Sequence, residues 1–145
     1  MKYIILSICF SLVFACQPRK QDTTAIEHQL EGYWVVQKSE NAEGEVTPLP
    51  GIVYVDFFDI SDGEGRRHKL QPQPNGKLKP FAAPLKFKII AENNADYLEF
   101  MQNDNTWRET IEELSSEQLI LIDAENNRNF YQPFEPFDKP SQNNL

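Results

Sequence analysis

The sequence has few of the residues that catalytic and nucleic-acid-binding sites need. Its two histidines, His28 and His68, stand near no serine or aspartate motif, so a histidine-based triad has no support. Glycine-rich phosphate loops are absent, and no carboxylates are spaced as a glycosidase pair. Acidic residues outnumber basic ones by 22 to 14, which argues against nucleic acid as a partner. We therefore expect no catalysis, no metal and no cofactor.

The chain also lacks an apolar run long enough to span a membrane. Residues 3–15 are apolar, but as a helix they would extend only about 20 Å, against a hydrocarbon core of about 30 Å. A lysine precedes the run and a small residue ends it, which is the layout of a secretory signal. Val13-Phe14-Ala15-Cys16 resembles the bacterial lipobox. The resemblance implies a signal peptide over residues 1–15 and a lipid on Cys16. The alternatives are a membrane anchor or an ordinary cleaved signal with an unmodified thiol.

The lipobox resemblance also predicts a location in the cell envelope. Diacylglycerol and an acyl chain such as palmitate on Cys16 would anchor the chain stably, because each buried methylene contributes about 0.8 kcal/mol. Gln17 follows this cysteine where an aspartate would favour the inner membrane, so we expect the outer membrane, on its periplasmic or surface side. Cys9 leaves with the signal, so the mature chain has no disulfide. The remaining 130 of the 145 residues are enough for one domain, which we expect to be monomeric.

The rest of the sequence predicts an all-β domain over residues 25–135. Alternating apolar residues, separated by polar turns such as Asn75-Gly76 and Asn93-Asn94, predict eight antiparallel strands. These strands cover residues 32–37, 52–60, 66–71, 85–91, 97–101, 106–114, 119–123 and 128–134. A small up-and-down β-barrel fits this count, and its closure would remove exposed strand edges.

Two shorter segments are predicted to flank this barrel. Residues 16–24 are a lipidated cysteine and flexible tether, followed by a helical turn that Thr24 and Glu27 cap and Gly32 ends. Residues 136–145 are predicted to be a disordered tail, or to pack loosely through Phe137. Asp62-Gly63 is interpreted as a hairpin turn, because the loop around it lacks the ligand pattern of a calcium site.

A capped helical turn that leads into Gly32-Tyr33-Trp34 resembles the start of the lipocalins. Asn94-Ala95-Asp96-Tyr97 is similar to the Thr-Asp-Tyr turn of that family, with alanine in place of threonine. The resemblance implies that Trp34 closes the base of the barrel with Arg128 across it, a cation–π contact. It also implies that the barrel binds a small apolar or amphipathic ligand. The alternative is that Trp34 is a core aromatic of another all-β fold.

Strand alternation with an inward Trp34 predicts which side chains line the lumen. Glu109 shares a strand face with Trp107 and Ile111, so it would point inward, require a partner, and orient the polar end of a ligand. The alternative is that Glu109 is solvated. The predicted lumen residues are Trp34, Val36, Val55, Phe57, Phe87, Ile89, Leu98, Phe100, Trp107, Glu109 and Ile111.

The aromatic content supports a second hypothesis for function. Ten Phe, five Tyr and two Trp could fill such a small barrel completely. The protein would then be an interaction or accessory module, with an exposed apolar patch at the proline-rich loop over residues 71–84. A ligand carrier instead requires a cavity of about 300 Å³ or more.

Overall fold

The described residues form a closed antiparallel β-barrel that follows one short helix. The computed structural model describes residues 23–61 and 64–137. In chain order the elements are α1 (Thr24–Leu30), β1 (Gly32–Glu40), β2 (Val46–Pro48), β3 (Val55–Ser61), β4 (Glu64–Pro72), β5 (Leu78–Pro80), β6 (Leu85–Glu92), β7 (Ala95–Gln102), β8 (Asn105–Leu114), β9 (Leu119–Ile122) and β10 (Arg128–Pro133).

Eight of the strands make the barrel. Their order is β10-β9-β8-β7-β6-β4-β3-β1, every pair is antiparallel, and β1 also pairs with β10 to close the sheet. The short strands β2 and β5 are additions that pair only with β1 and β4. This order confirms the predicted up-and-down barrel of eight strands.

Asparagine residues make several of the turns between these strands. Asn93 and Asn94 have φ values of 52° and 61°, as a tight hairpin turn between β6 and β7 requires, and Asn103 has a φ of 54° in the next turn. Ser61 pairs with Glu64 across the β3–β4 hairpin, whose predicted turn residues, Asp62 and Gly63, lie outside the described residues.

Helix α1 is fixed to the first barrel strand. Its N-cap is Thr23, one residue earlier than predicted, and the Thr23 hydroxyl donates to the Glu27 carboxylate at 2.9 Å. It ends before Gly32, whose φ of 134° favours glycine. The indole Nε1 of Trp34 donates to the Leu30 carbonyl oxygen at 2.9 Å. Among the residues described, the structure shows no helix with the length and apolarity to cross a membrane. The predicted signal peptide, Cys16 and most of the tether lie before these residues.

The main hydrophobic core fills part of the barrel interior. Phe58, Phe87 and Phe100 are completely or almost completely buried, and Phe87 lies directly over the backbone of Gly65. The absence of a side chain at Gly65 therefore leaves room for the Phe87 ring. The other buried members of this core are Leu30, Trp34, Leu98, Leu119, Leu121 and Tyr131.

A second hydrophobic cluster covers the outer face of β3 and β4. It contains Val55, Phe57 and Leu70, with Tyr33, Leu78 and Phe134 packed against them. This corrects the prediction that Val55 and Phe57 line the lumen. The register pairs Asp56 with Trp34, so Asp56 and Phe58 face inward. The alternation of apolar and polar residues does not identify the inner face of β3, because this strand is buried on both faces. Its apolar residues therefore occur on both faces.

The end of the described chain follows this outer cluster. The Phe134 backbone N–H donates to the Tyr33 carbonyl oxygen at 2.8 Å. Pro136 is buried, whereas Phe137 is 97% exposed. The rest of the predicted tail lies beyond the described residues.

Candidate functional site

A buried arginine occupies the centre of the candidate site. Arg67 lies on β4 opposite Phe58 of β3. Its Nε and Nη2 donate to Asp56 Oδ2 at 3.1 and 2.6 Å, and Nη2 also donates to the Tyr131 hydroxyl at 2.7 Å. Its Nη1 donates to the two carboxylate oxygens of Glu109 at 3.3 and 3.2 Å. These five contacts match the five N–H donors of a guanidinium. We call these four residues the Arg67 network.

Burial and charge shape the ionisation of the Arg67 network. Burial alone would lower the Arg67 pKa, but the oxygens of Tyr131, Asp56 and Glu109 outweigh it and raise that pKa above its ordinary value. Desolvation raises the pKa of Glu109, although Arg67 opposes the change. Desolvation also raises the pKa of Tyr131 to about 12, so its hydroxyl keeps its proton at neutral pH. One guanidinium thus faces two carboxylates, an excess of one negative charge when both are ionised.

One oxygen of the Arg67 network has no hydrogen-bond partner. Asp56 Oδ1 is buried and contacts no donor among the described residues, while Oδ2 accepts both bonds from Arg67. The Asp56 side chain is only 7% exposed. A buried acceptor without a donor is costly, so this oxygen would gain from a donor supplied by another molecule.

The Arg67 network lies between the main hydrophobic core, called the aromatic core from here on, and a cavity of about 390 Å³. On one side, the Arg67 guanidinium lies 5.5, 5.9 and 5.8 Å from the ring centroids of Phe58, Phe100 and Tyr131. On the other side, all four network residues line the cavity. The cavity-lining residues are Val36, Leu49, Gly51, Val53, Tyr54, Asp56, Arg67, Lys69, Glu109, Asp123, Asn129 and Tyr131.

The structure divides the predicted lumen residues into three groups. Val36 and Glu109 line the cavity. Trp34, Phe87, Leu98 and Phe100 belong to the aromatic core, with Ile89, Trp107 and Ile111 packed against it. Val55 and Phe57 lie outside the barrel, as described above. The interior is therefore packed in one part and open in another.

Arg128 does not lie across Trp34, which corrects the predicted pair at the barrel base. Its guanidinium pairs with Glu40 at 3.4 Å and Glu112 at 2.7 Å, and lies 5.5 Å from the Phe130 ring centroid. The β1–β10 register explains the difference, because Arg128 pairs with Glu40 whereas Trp34 pairs with Pro133. The two side chains thus lie at opposite ends of the paired segment.

Three members of the Arg67 network were not predicted from the sequence. The predicted inward positions of Val55 and Phe57 would put Asp56 on the outer face, and the sequence pattern indicates no role for Arg67 or Tyr131. The available signal was Glu109 itself, because an inward carboxylate implies an inward cation. Among the described residues, no cluster of three or more His, Cys, Asp or Glu has the geometry to hold a metal ion.

Comparisons with known proteins give two similar solved structures. No family model matches the chain, and no curated protein matches it. The chain is similar to a lipocalin-like protein from Bacteroides uniformis ATCC 8492, with 12% identity, a TM-score of 0.47, and coverage of 73% of this chain and 99% of that one. It is also similar to an uncharacterized protein from Bacteroides eggerthii DSM 20697, with 8% identity, a TM-score of 0.48, and coverage of 72% and 99%.

Proposed function

We propose that this protein is a lipid-anchored carrier of the cell envelope that binds one small amphipathic molecule inside its barrel. The observation that carries the proposal is the cavity of about 390 Å³. Its volume lies within the range of about 300 to 1,000 Å³ that small-molecule sites occupy.

The lining of the cavity favours an amphipathic ligand. Val36, Leu49 and Val53 provide apolar surface, and Tyr54 adds an aromatic ring. Leu49 and Val53 are 39% and 57% exposed, so they belong to the rim, whereas the Arg67 network is buried. The polar end of a ligand would therefore enter first, with its apolar part against the rim.

Binding without catalysis is part of this proposal. Among the described residues, the cavity lining includes no His, Ser or Cys. The buried His68 packs against Phe57 in the outer cluster, with ring centroids 5.7 Å apart, and does not line the cavity. A histidine-dependent reaction in the cavity thus has no support from the described residues.

The anchor on Cys16 is proposed from the sequence alone, because this residue lies before the described part of the chain. Mass spectrometry of the protein from bacterial membranes tests it. We expect an N-terminal peptide that begins at Cys16 and carries acyl chains, and a Cys16→Ser variant that leaves the membrane fraction. A peptide from the membrane-derived protein that spans residues 15–17 with an unmodified Cys16 would contradict the anchor.

The decisive experiment for the carrier function is native mass spectrometry. The mature chain, purified gently from its host with Cys16→Ser to remove the anchor, would be weighed before and after denaturation. We expect an added small-molecule mass that denaturation removes. A chain without bound ligand that also takes up no fluorescent fatty-acid or alkylamine probe would contradict carriage.

A second function has one specific observation in its favour. Val46, Leu49, Ile52 and Val53 are exposed, as is Phe81 at 55%, which contacts the Tyr54 ring at 4.7 Å. Phe81 lies in the loop where an exposed patch was predicted. Exposed apolar patches commonly mark protein interfaces, so this rim would be the docking surface of an interaction module. Cross-linking in intact cells through a photoreactive group at Phe81 tests this function.

A further inference from the structure

The Arg67 network limits which polar group a ligand can present to it. A buried arginine in a ligand cavity ordinarily offers its guanidinium to an anion such as a carboxylate. Here the five N–H donors already bind Asp56, Glu109 and Tyr131. A ligand carboxylate would have to displace one of these contacts, and it would bring a third negative charge beside Asp56 and Glu109.

The buried polar group of the lining that lacks a hydrogen-bond partner in the described part of the chain is an acceptor, Asp56 Oδ1. Asp56 lines the cavity, its side chain is 7% exposed, and its Oδ1 has no donor among the described residues; because this oxygen is itself buried, a ligand reaches it only when the carboxylate turns toward the cavity. The lining contains three acidic residues, Asp56, Glu109 and Asp123, against the two basic residues Arg67 and Lys69. The formal charge of the lining is thus −1, and the unused hydrogen-bonding capacity at its buried end is that of an acceptor.

Lys69 is the one cation of the lining outside the Arg67 network. Its side chain is exposed, and its Nζ lies 5.4 Å from the ring centroid of Tyr54. Its charged end therefore lies at the rim, although its Cα pairs with that of Asp56 across β3 and β4. An anionic ligand would have Lys69 as its partner, whereas a cationic ligand would have Asp56.

We propose that the cavity selects amphiphiles whose polar end is a positively charged hydrogen-bond donor, such as a primary amine, over amphiphiles that end in a carboxylate. The ammonium group donates to Asp56 Oδ1, and the alkyl chain lies against Val36, Leu49 and Val53. This selectivity rests on the proposed carrier function and gives the chemical class of its ligand.

The experiment compares three probes of equal chain length: octylamine, octanol and octanoic acid. Each is titrated calorimetrically at neutral pH into the mature chain carrying Cys16→Ser. We expect octylamine to bind more tightly than octanoic acid by about tenfold or more, since a hydrogen bond to a charged group contributes about 1.5 to 3 kcal/mol. Octanol, a neutral donor, should fall between them.

Two variants locate the effect. Asp56→Asn keeps the shape of the side chain and removes its charge, so it should reduce the preference for octylamine over octanol to about twofold or less. Lys69→Gln removes a positive charge from the lining, so it should tighten octylamine binding. If Asp56→Asn does not fold, the order of the three probes and the Lys69→Gln result decide the matter alone.

The outcomes separate this inference from the function on which it rests. Octanoic acid binding as tightly as octylamine would overturn the amine selectivity and leave the carrier function standing. Binding of none of the three probes, in a chain that is folded by circular dichroism, would overturn both.

Discussion

The two parts of the barrel interior bury their side chains in opposite ways. In the aromatic core, the Phe87 ring centroid lies 5.8 Å from that of Phe58 and 5.5 Å from that of Phe100, and Phe100 stacks on Trp107 at 5.4 Å. In the Arg67 network, charged groups lie at hydrogen-bonding distance. Apolar rings adjust to fill volume, whereas a buried charge requires partners in fixed positions. The cavity accordingly lies beside the Arg67 network and not within the aromatic core.

Replacement of Arg67 by methionine should have the largest effect on stability. It leaves Asp56 and Glu109 buried with no cation, and breaking a buried pair in this way costs about 3 to 5 kcal/mol. Urea denaturation measures the free energy of unfolding. The matched control is Arg66→Met on the same strand, where the side chain is 56% exposed and the change should stay within about 0.5 kcal/mol. Equal effects of the two variants would show that the network does not stabilise the fold.

Gly65→Ala tests the aromatic core. We expect it to lower the free energy of unfolding by less than Arg67→Met does. A Cβ at this position would overlap the Phe87 ring, so the ring or the strand must move. Overpacking of this kind costs about 1 to 3 kcal/mol. Phe87→Leu should reduce this cost in the double variant, because the smaller side chain leaves room for the methyl group. An additive double variant would contradict direct overlap as the cause.

The sequence predicts the barrel because its signals are local. The Asn93-Asn94 turn depends on neighbouring residues, as does the alternation of Leu85, Phe87 and Ile89 with two lysines. Strand count and order follow from such signals, and eight strands close the sheet. The inward position of Glu109 follows from the same alternation.

The site requires information that no local pattern contains. The partners of Arg67 lie 11, 42 and 64 residues away in sequence, on three other strands. Both faces of β3 are buried, so its alternation does not distinguish inside from outside. The position of Arg128 depends on the β1–β10 register, which places it beside Glu40. Each of these is settled by pairing between distant strands.

A third kind of buried group lies beside the outer cluster. It is the ionisable side chain of His68, which packs against Phe57. His68 is 6% exposed and its Nε2 has no hydrogen-bond partner among the described residues. Desolvation lowers its pKa below 6.5, while Asp59 and Arg66 act in opposite directions. The unfolded chain then binds a proton more readily than the folded chain, so the free energy of unfolding falls as pH drops below about 6.5.

Measurement of urea denaturation at about pH 7.5 and about pH 5.5 tests this effect of His68. The loss of stability at the lower pH should be smaller in His68→Leu than in the native chain. The sequence contains only one other histidine, and the exposed His28 allows a matched control, His28→Gln. The His28→Gln control shows the loss of stability that does not depend on His68. A loss as large in His68→Leu as in the control would contradict the expectation.

Arg128→Gln should have the smallest effect on the free energy of unfolding. It tests whether exposed ion pairs stabilise the fold as much as the buried pairs of Arg67 do. Arg128 contacts Glu40 and Glu112 with 38% of its side chain exposed, so water already solvates the charges and the pairs contribute little. The urea midpoint should stay close to that of the native chain. In a Trp107→Phe background, the fluorescence of Trp34 should also be unchanged, because the Trp34 indole donates to Leu30 and not to a group near Arg128. A shift in that fluorescence would place the guanidinium near the indole after all. An unchanged urea midpoint in Arg128→Gln, combined with the large loss in Arg67→Met, would mean that partner contacts at Arg67 contribute because they are buried.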